Sequence, residues 1–176
     1  MLMNIFMSGF KHALVGLSLM AIPLSASAQF VSGSNASTII TADRAEYQGD
    51  VTILTGQVDV RQDDVRILAD KMVIKSSSGI SSGVFSEVTA EGNFYYLTSE
   101  QEVKGQRGVY TKTNDTFVVT GDVVLKQASG NVVTGDKLYY NIGTKNARVV
   151  GTCKGRKCGS KGRVNILIKN SGGSGS

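Results

Sequence analysis

The sequence predicts an all-β protein: one sandwich, barrel or solenoid of short strands. Three observations carry this prediction. After residue 28 no sustained helical periodicity remains; short runs rich in Val, Ile, Thr, Tyr and Phe alternate apolar with polar residues instead. Turn residues separate these runs at roughly eight to twelve residues, the spacing of sandwiches, barrels and solenoids. A strand-sized module also occurs twice. Thr55-Gly56-Gln57-Val58-Asp59-Val60-Arg61-Gln62 returns as Thr120-Gly121-Asp122-Val123-Val124-Leu125-Lys126-Gln127, with the glycines 65 residues apart. Leu68-Ala69-Asp70-Lys71-Met72 returns as Thr134-Gly135-Asp136-Lys137-Leu138, with the aspartates 66 apart, and Tyr47 and Tyr110 precede the two copies, 63 apart. Neither copy holds a catalytic constellation, so the duplication points to a surface built by repetition that carries or scaffolds something.

In chain order the predicted strands are Ile39–Tyr47, Val51–Leu54, Gln57–Gln62, Val65–Lys75, Ser86–Ala90, Gly92–Thr98, Glu102–Thr111, Thr116–Thr120, Asp122–Gln127, Asn131–Ile142, Ala147–Gly151 and Arg163–Lys169. Turns are predicted at Gln48-Gly49-Asp50, Gln62-Asp63-Asp64, Thr113-Asn114-Asp115, Ala128-Ser129-Gly130 and Gly143-Thr144-Lys145, where Gly, Asn and Asp tolerate the backbone that turns require. Alternation assigns the faces. Val58 and Val60 oppose Asp59 and Arg61, and Met72 and Ile74 oppose Lys71 and Lys75. Phe117 pairs with Val119, and Val123 with Leu125. Leu138, Tyr140 and Ile142 oppose Lys137 and Asn141. Val164, Ile166 and Ile168 oppose Arg163, Asn165 and Lys169. The apolar face is either a dry core or a partly open slot of medium aliphatics, and composition does not choose between them.

The ends and the composition narrow the function. Lys11 and His12, the apolar run Ala13–Leu24 and the small-residue site Ala26-Ser27-Ala28 read as a secretory signal peptide over 1–28. The run is shorter than the ~20 apolar residues of a membrane span. No lipobox cysteine follows, and the expected address is a bacterial periplasm. Residues 29–37 read as a flexible N-terminus, 38–169 as one domain, and 170–176 as a flexible Gly/Ser tail. The only histidine, His12, and the only proline, Pro23, leave with the signal. The remaining 148 residues therefore hold no Ser-His-Asp triad, Cys-His pair or histidine-ligated zinc site. No catalytic residue, metal or cofactor is expected. Asp63-Asp64 reads as a solvated turn.

Charge is uneven. Residues 29–136 carry nine Lys/Arg against fourteen Asp/Glu, a net of −5, while residues 137–176 carry nine Lys/Arg and no acid, a net of +9. That basic end implies either an anionic neighbour or a lysine-protected sheet edge. Export, and the lack of interleaved aromatics in the basic stretch, speak against nucleic acid. Cys153 and Cys158 enclose Lys-Gly-Arg-Lys, and in an oxidising compartment this pair is expected to close a small disulfide loop.

The chain also resembles the OstA-like family of periplasmic lipopolysaccharide transport proteins, the LptA group. The matching segments are Ile40-Thr-Ala-Asp43, Thr55-Gly-Gln-Val-Asp-Val60, Ile67-Leu-Ala-Asp-Lys71, Gly92-Asn-Phe94, Val103-Lys-Gly105, Phe117-Val-Val-Thr-Gly-Asp122, Gly135-Asp-Lys-Leu-Tyr-Tyr140 and Gly162-Arg-Val-Asn-Ile-Leu-Ile168. The resemblance implies a β-jellyroll of stacked antiparallel strands, slightly open along one side. It implies a groove for the acyl chains of lipopolysaccharide and edge-to-edge joining into a bridge between the two membranes. LptC-like and LptD-like proteins are the implied partners, with head-to-tail self-association. Ile40, Val58, Val60, Met72, Phe94, Tyr110, Phe117, Val119, Leu125 and Leu138 are the expected inward and acyl-contacting residues. Thr38, Ile39, Thr41, Val164, Ile166 and Ile168 are the expected partner edges. Cys153 and Cys158 depart from the family pattern. The other reading is an exported structural β-solenoid or adhesion module that binds only proteins. A carbohydrate-binding sandwich is a third, without the Trp platforms such modules display.

Overall fold

The computed structural model describes residues 36–77, 85–153, 155–159 and 162–169. The expected signal peptide, the expected flexible N-terminus up to residue 35 and the Gly/Ser tail lie outside the described residues. Ten strands follow in order: β1 Ile39–Thr41, β2 Arg44–Gln48, β3 Val51–Gln62, β4 Val65–Lys75, β5 Glu87–Leu97, β6 Gln101–Thr111, β7 Thr116–Gln127, β8 Val132–Asn141, β9 Ala147–Val150 and β10 Asn165–Leu167. They form one antiparallel sheet in the order β1-β3-β4-β5-β6-β7-β8-β10; β2 also pairs with β3, and β9 with β8.

Six long strands each cross the whole molecule, and neighbouring pairings slip at the same level. The slips fall between Thr55 and Val58, Leu68 and Lys71, Glu91 and Phe94, Lys104 and Arg107, and Thr120 and Val123. These bulges lie side by side and crease the sheet, because each bends its strand and strengthens the local twist. On β3, β5 and β7 the crease uses two consecutive left-handed residues: Gly56-Gln57, Gly92-Asn93 and Gly121-Asp122. A glycine must lead because a Cβ on Gly56 would run into the Asp43 side chain, one on Gly92 into Asp70, and one on Gly121 into Gln106. The sheet folds along this line into two facing halves. One runs from β2 to β9 and the other from β1 to β10, through the two ends of β3–β8. The architecture is an all-β, slightly open jellyroll.

The crease corrects the expected strand list. Val51–Leu54 and Gln57–Gln62 are one strand, as are Ser86–Ala90 with Gly92–Thr98 and Thr116–Thr120 with Asp122–Gln127. A glycine inside alternating sequence is here a bend in a continuing strand, not a chain reversal. Conversely, Ile39–Tyr47 is two strands, split at Ala42-Asp43 where the chain crosses the crease, and Arg163–Lys169 keeps only Asn165–Leu167 as strand. The five expected turns all join strands.

The duplication also has a finer grain. β3, β5 and β7 bury the same positions: Thr52, Leu54, Val58 and Val60; Val88, Ala90, Phe94 and Tyr96; Phe117, Val119, Val123 and Leu125. The copies 65 residues apart are the first and third of three. The middle one, centred on Gly92, is disguised by Glu91 and Phe94 and displaced by the long connection 76–86.

Candidate binding interior and sheet edges

The registers align the inward residues of successive strands into rows that cross the whole molecule. In one half the row reads Ile40–Val60–Ile67–Tyr96–Val103–Leu125–Val133–Ile166. In the other half one row reads Ala45–Leu54–Met72–Ala90–Gly108–Val119–Leu138–Val149. Beside it runs Tyr47–Thr52–Ile74–Val88–Tyr110–Phe117–Tyr140–Ala147. Apart from Thr52 these rows hold only apolar and aromatic side chains and one glycine. The period-two alternation of every strand therefore builds a continuous apolar interior.

Nine of the ten residues expected inside are buried there: Val58, Val60, Met72, Phe94, Tyr110, Phe117, Val119, Leu125 and Leu138, while Ile40 on the edge strand is half-buried against them. The two halves pack face to face. Phe94 and Phe117 pack as tilted rings with centroids 5.2 Å apart, Tyr96 and Phe117 at 5.6 Å, and Tyr96 and Tyr140 at 6.3 Å. A narrow cleft, with a cavity volume of only about 20 Å³, lies among Ile67, Met72, Val88, Ala90, Phe94, Tyr96, Tyr110, Phe117 and Ile142. Five of these nine, Ile67, Val88, Ala90, Tyr96 and Ile142, are absent from the expected set. Counting by twos from Phe94 reaches Ala90 and Tyr96, so alternation alone could have found them.

Polar groups sit at the rim of this interior. The Tyr110 hydroxyl donates to Asp115 Oδ1 at 3.0 Å, where the β6–β7 turn closes. Burial, then this hydrogen bond, pushes the Tyr110 phenol well above the usual tyrosine range; burial does the same for Tyr96. Both stay protonated at any physiological pH. A second cleft, lined by Asp64, Thr98, Glu100, Gln101 and Lys145, adjoins the first through Tyr96 and Ile142. Across it the Lys145 ammonium of the β8–β9 turn faces Glu100 of the β5–β6 turn at 3.7 Å.

Each end of the stack is an edge. β1 and β2 form the N-terminal edge on β3, and β9 and β10 the C-terminal edge on β8. Thr38 is half-buried just before β1, where Ile39 and Thr41 flank inward Ile40. Ile166 pairs with Val133 and continues the inward row, Val164 is half-buried, and Ile168 is exposed just past β10. The edges cross the crease differently. The N-terminal one needs only Ala42-Asp43, with the Asp43 N–H donating to Gly56 O at 2.9 Å. The C-terminal one makes an excursion between Val150 and Asn165, closed at its neck where Cys153 N–H donates to Gly162 O at 2.7 Å. Thr152 N–H and hydroxyl both donate to Asp136 Oδ2, and Cys153 and Cys158 are joined by a disulfide across 6.1 Å between Cα atoms.

Residues 39–146 match the model of the LptA/(LptD N-terminal domain) LPS transport protein family. The chain belongs to that family. The lipopolysaccharide export system protein LptA of Escherichia coli K12 is 32% identical over 101 residues, and that of Shigella flexneri matches equally. The match takes in 55% of this chain and 54% of each relative, so the chain spans about half the length of the curated relatives it matches. The crystal structure of LptH, the LptA-homologous periplasmic component of the lipopolysaccharide transport device of Pseudomonas aeruginosa, superposes with a TM-score of 0.63 at 21% identity. It covers 77% of this chain and 96% of that one, and so shows the same fold. The family match ends before β9.

Proposed function

We propose that the chain is a periplasmic lipopolysaccharide carrier. It shelters acyl chains in the apolar interior, joins LptC-like and LptD-like partners and further copies of itself edge to edge, and performs no catalysis. One observation carries this reading: the inward rows run from one sheet edge to the other with no charged residue in them. An apolar path open at both ends suits a cargo that passes from one molecule to the next. Each CH₂ removed from water gains ~0.8 kcal/mol, so a multi-acyl lipid needs such a path to cross an aqueous compartment.

The dense packing of Phe94, Met72, Val119 and Leu138, all at 0% exposure, favours the second reading, a structural module with an ordinary filled core. For the carrier, this packing means that lipid enters only as the two halves spread at the side away from the crease. Photo-crosslinking residues separate the readings. Placed at inward Val119 and Leu138, they are expected to capture lipopolysaccharide; at outward Val118 and Tyr139, they are not. Equal capture from both faces, or none from a folded protein, overturns the carrier reading.

A further inference from the structure

β10 is the strand that the sheet holds least. It pairs only with β8, through Asn165–Thr134, Ile166–Val133 and Leu167–Val132, and all three of its residues are exposed. β1 at the other edge is as short, but its Ile40 packs against the core. The routes to the two strands differ as well. β1 leads to β2 through Ala42-Asp43, whereas β10 is reached from β9 through residues 151–164. Closing the longer connection costs more chain entropy, and three exposed residues bury little surface to offset it. Further ties must therefore hold β10 in place.

Such ties lie at both ends of the strand. Past the far end, Lys169 N–H donates to Asn131 Oδ1 at 3.0 Å. At the near end is the neck, where Thr152 donates to Asp136 and Cys153 N–H donates to Gly162 O at 2.7 Å. The chain passes itself closely there. A Cβ on Gly151 would run into Gly162 O, and one on Gly162 would lie 3.1 Å from Cys153 Cβ. Cys153 thus belongs both to the neck and to the disulfide. Its bond to Cys158 gathers the chain beyond the neck into the short turn Arg156–Cys158. With the bond in place, the neck has only to close the path from Cys158 to Gly162. Without it, the neck closes the whole path from Cys153 to Gly162, a longer loop with more freedom to lose.

We infer that Cys153–Cys158 is a thiol–disulfide exchange site that clasps β10: oxidised, it keeps the strand on β8, and reduced, it releases it. The co-reactant is a dithiol. One of its thiolates attacks a sulfur of the bond, and the other cysteine leaves as a thiolate. The second thiol of the dithiol then closes on the first and frees the attacked cysteine. Two electrons and two protons pass to the chain, which ends with two thiols, and the dithiol ends as a disulfide. The bond is accessible to such an attack, since Cys153 is exposed and Cys158 half-buried. Exposed Lys157 directly precedes Cys158, a neighbour of the kind that favours a departing thiolate. Neither cysteine belongs to the core cluster, so opening the bond leaves the interior packed and confines the change to the edge. The site works in the same way whatever the interior carries.

Hydrogen exchange of the full chain is followed by mass spectrometry in three forms: oxidised, reduced with dithiothreitol, and Cys153→Ser/Cys158→Ser. Circular dichroism verifies the fold of each. In the last two forms the segment 163–169 is expected to exchange about tenfold faster or more, while β4–β6 change by less than about twofold. Reoxidation of the reduced chain is expected to restore the protection. In parallel, maleimide labelling follows the thiols of the native chain. Both cysteines are expected to become reactive in dithiothreitol without denaturant, and neither before it. Unchanged exchange at 163–169, or an equal acceleration in every strand, overturns the clasp. Thiols that react only after urea has unfolded the chain overturn the exchange site.

Discussion

At Gly108 on β6 the interior leaves room for a hydrogen and little more. A Cβ there would lie 2.7 Å from Phe94 Cε2, 2.8 Å from Phe94 Cζ and 3.0 Å from Phe117 Cζ. Its φ is outside the left-handed region, so the constraint is steric and comes from two rings packed against each other at a tilt of 46°. Gly108→Ala is therefore expected to destabilise by about 1–3 kcal/mol in urea unfolding, as overpacked cores do. Phe94→Ala empties the other side of the same contact and is expected to cost about 3–5 kcal/mol. Alternation made Phe94 legible in the sequence, but not Gly108, because a residue without a side chain carries no hydropathy signal. The outer face has its own residue-scale device. Asp59 accepts from Arg61 Nη2 at 2.7 Å and from Arg66 Nε and Nη2 at 3.0 and 2.9 Å. Those bonds, that of Arg61 first, hold its carboxyl at about 2 against an ordinary 3.8. A carboxylate depressed on folding contributes stability that is complete above its unfolded value and lost as pH falls through the folded one. The urea midpoint is accordingly expected to drop between about pH 4 and pH 2, with a shallower drop in Asp59→Asn. Equal slopes in the two proteins would show that the pair contributes nothing.

Among the elements, the crease governs the fold, and two glycines isolate its energetics. Gly49 and Gly92 both have left-handed φ, 59° and 75°. A Cβ on Gly49 meets nothing within 4 Å, whereas one on Gly92 collides with the Asp70 side chain, which also accepts from Asn93 Nδ2 at 2.9 Å. Gly49→Ala is expected to cost only the backbone term, about 1 kcal/mol. Gly92→Ala adds the displacement of Asp70 and the loss of its hydrogen bond, and is expected to cost at least about 1 kcal/mol more. Thermal melts of the two variants give the difference directly; equal melting temperatures would mean that the acid over the crease has no structural role. The strands themselves were legible because their period of two is written in Val, Ile, Tyr and Phe. The crease was not, since Thr-Gly-Gln-Val spells a turn as readily as a bulge, and only pairing with the neighbouring strand decides. The same limit explains why Ile39–Tyr47 read as one strand: its split at Asp43 answers to Gly56 on the next strand, not to any local break in the alternation.

At the scale of the whole molecule, the eight-layer stack with two unlike ends separates two kinds of assembly that a simple oligomer count does not. If β10 meets β1 of the next copy, growth is polar: every chain has one end that accepts and one that donates. A chain lacking Arg163–Lys169 keeps its β1–β2 edge but has only the β9 half of its C-terminal one, with β10 gone. It can therefore add to a growing row but not extend it. Mixed at one part in ten with the full chain, it is expected to shorten the mean assembly sharply, while alone it stays monomeric and still captures lipid. If instead two C-terminal edges met across a two-fold axis, the truncated chain would find no partner and the full chain would assemble as though it were absent. Sedimentation of the mixture over a range of ratios reads this out: a mean length that falls as truncated chain is added marks a polar stack, and one that does not change marks a symmetric pair. The charge distribution points the same way. Residues 137–176 carry nine basic residues and no acid, so two C-terminal edges brought together would repel, whereas the N-terminal edge brings Asp43, Glu46 and Asp50 against the single base Arg44.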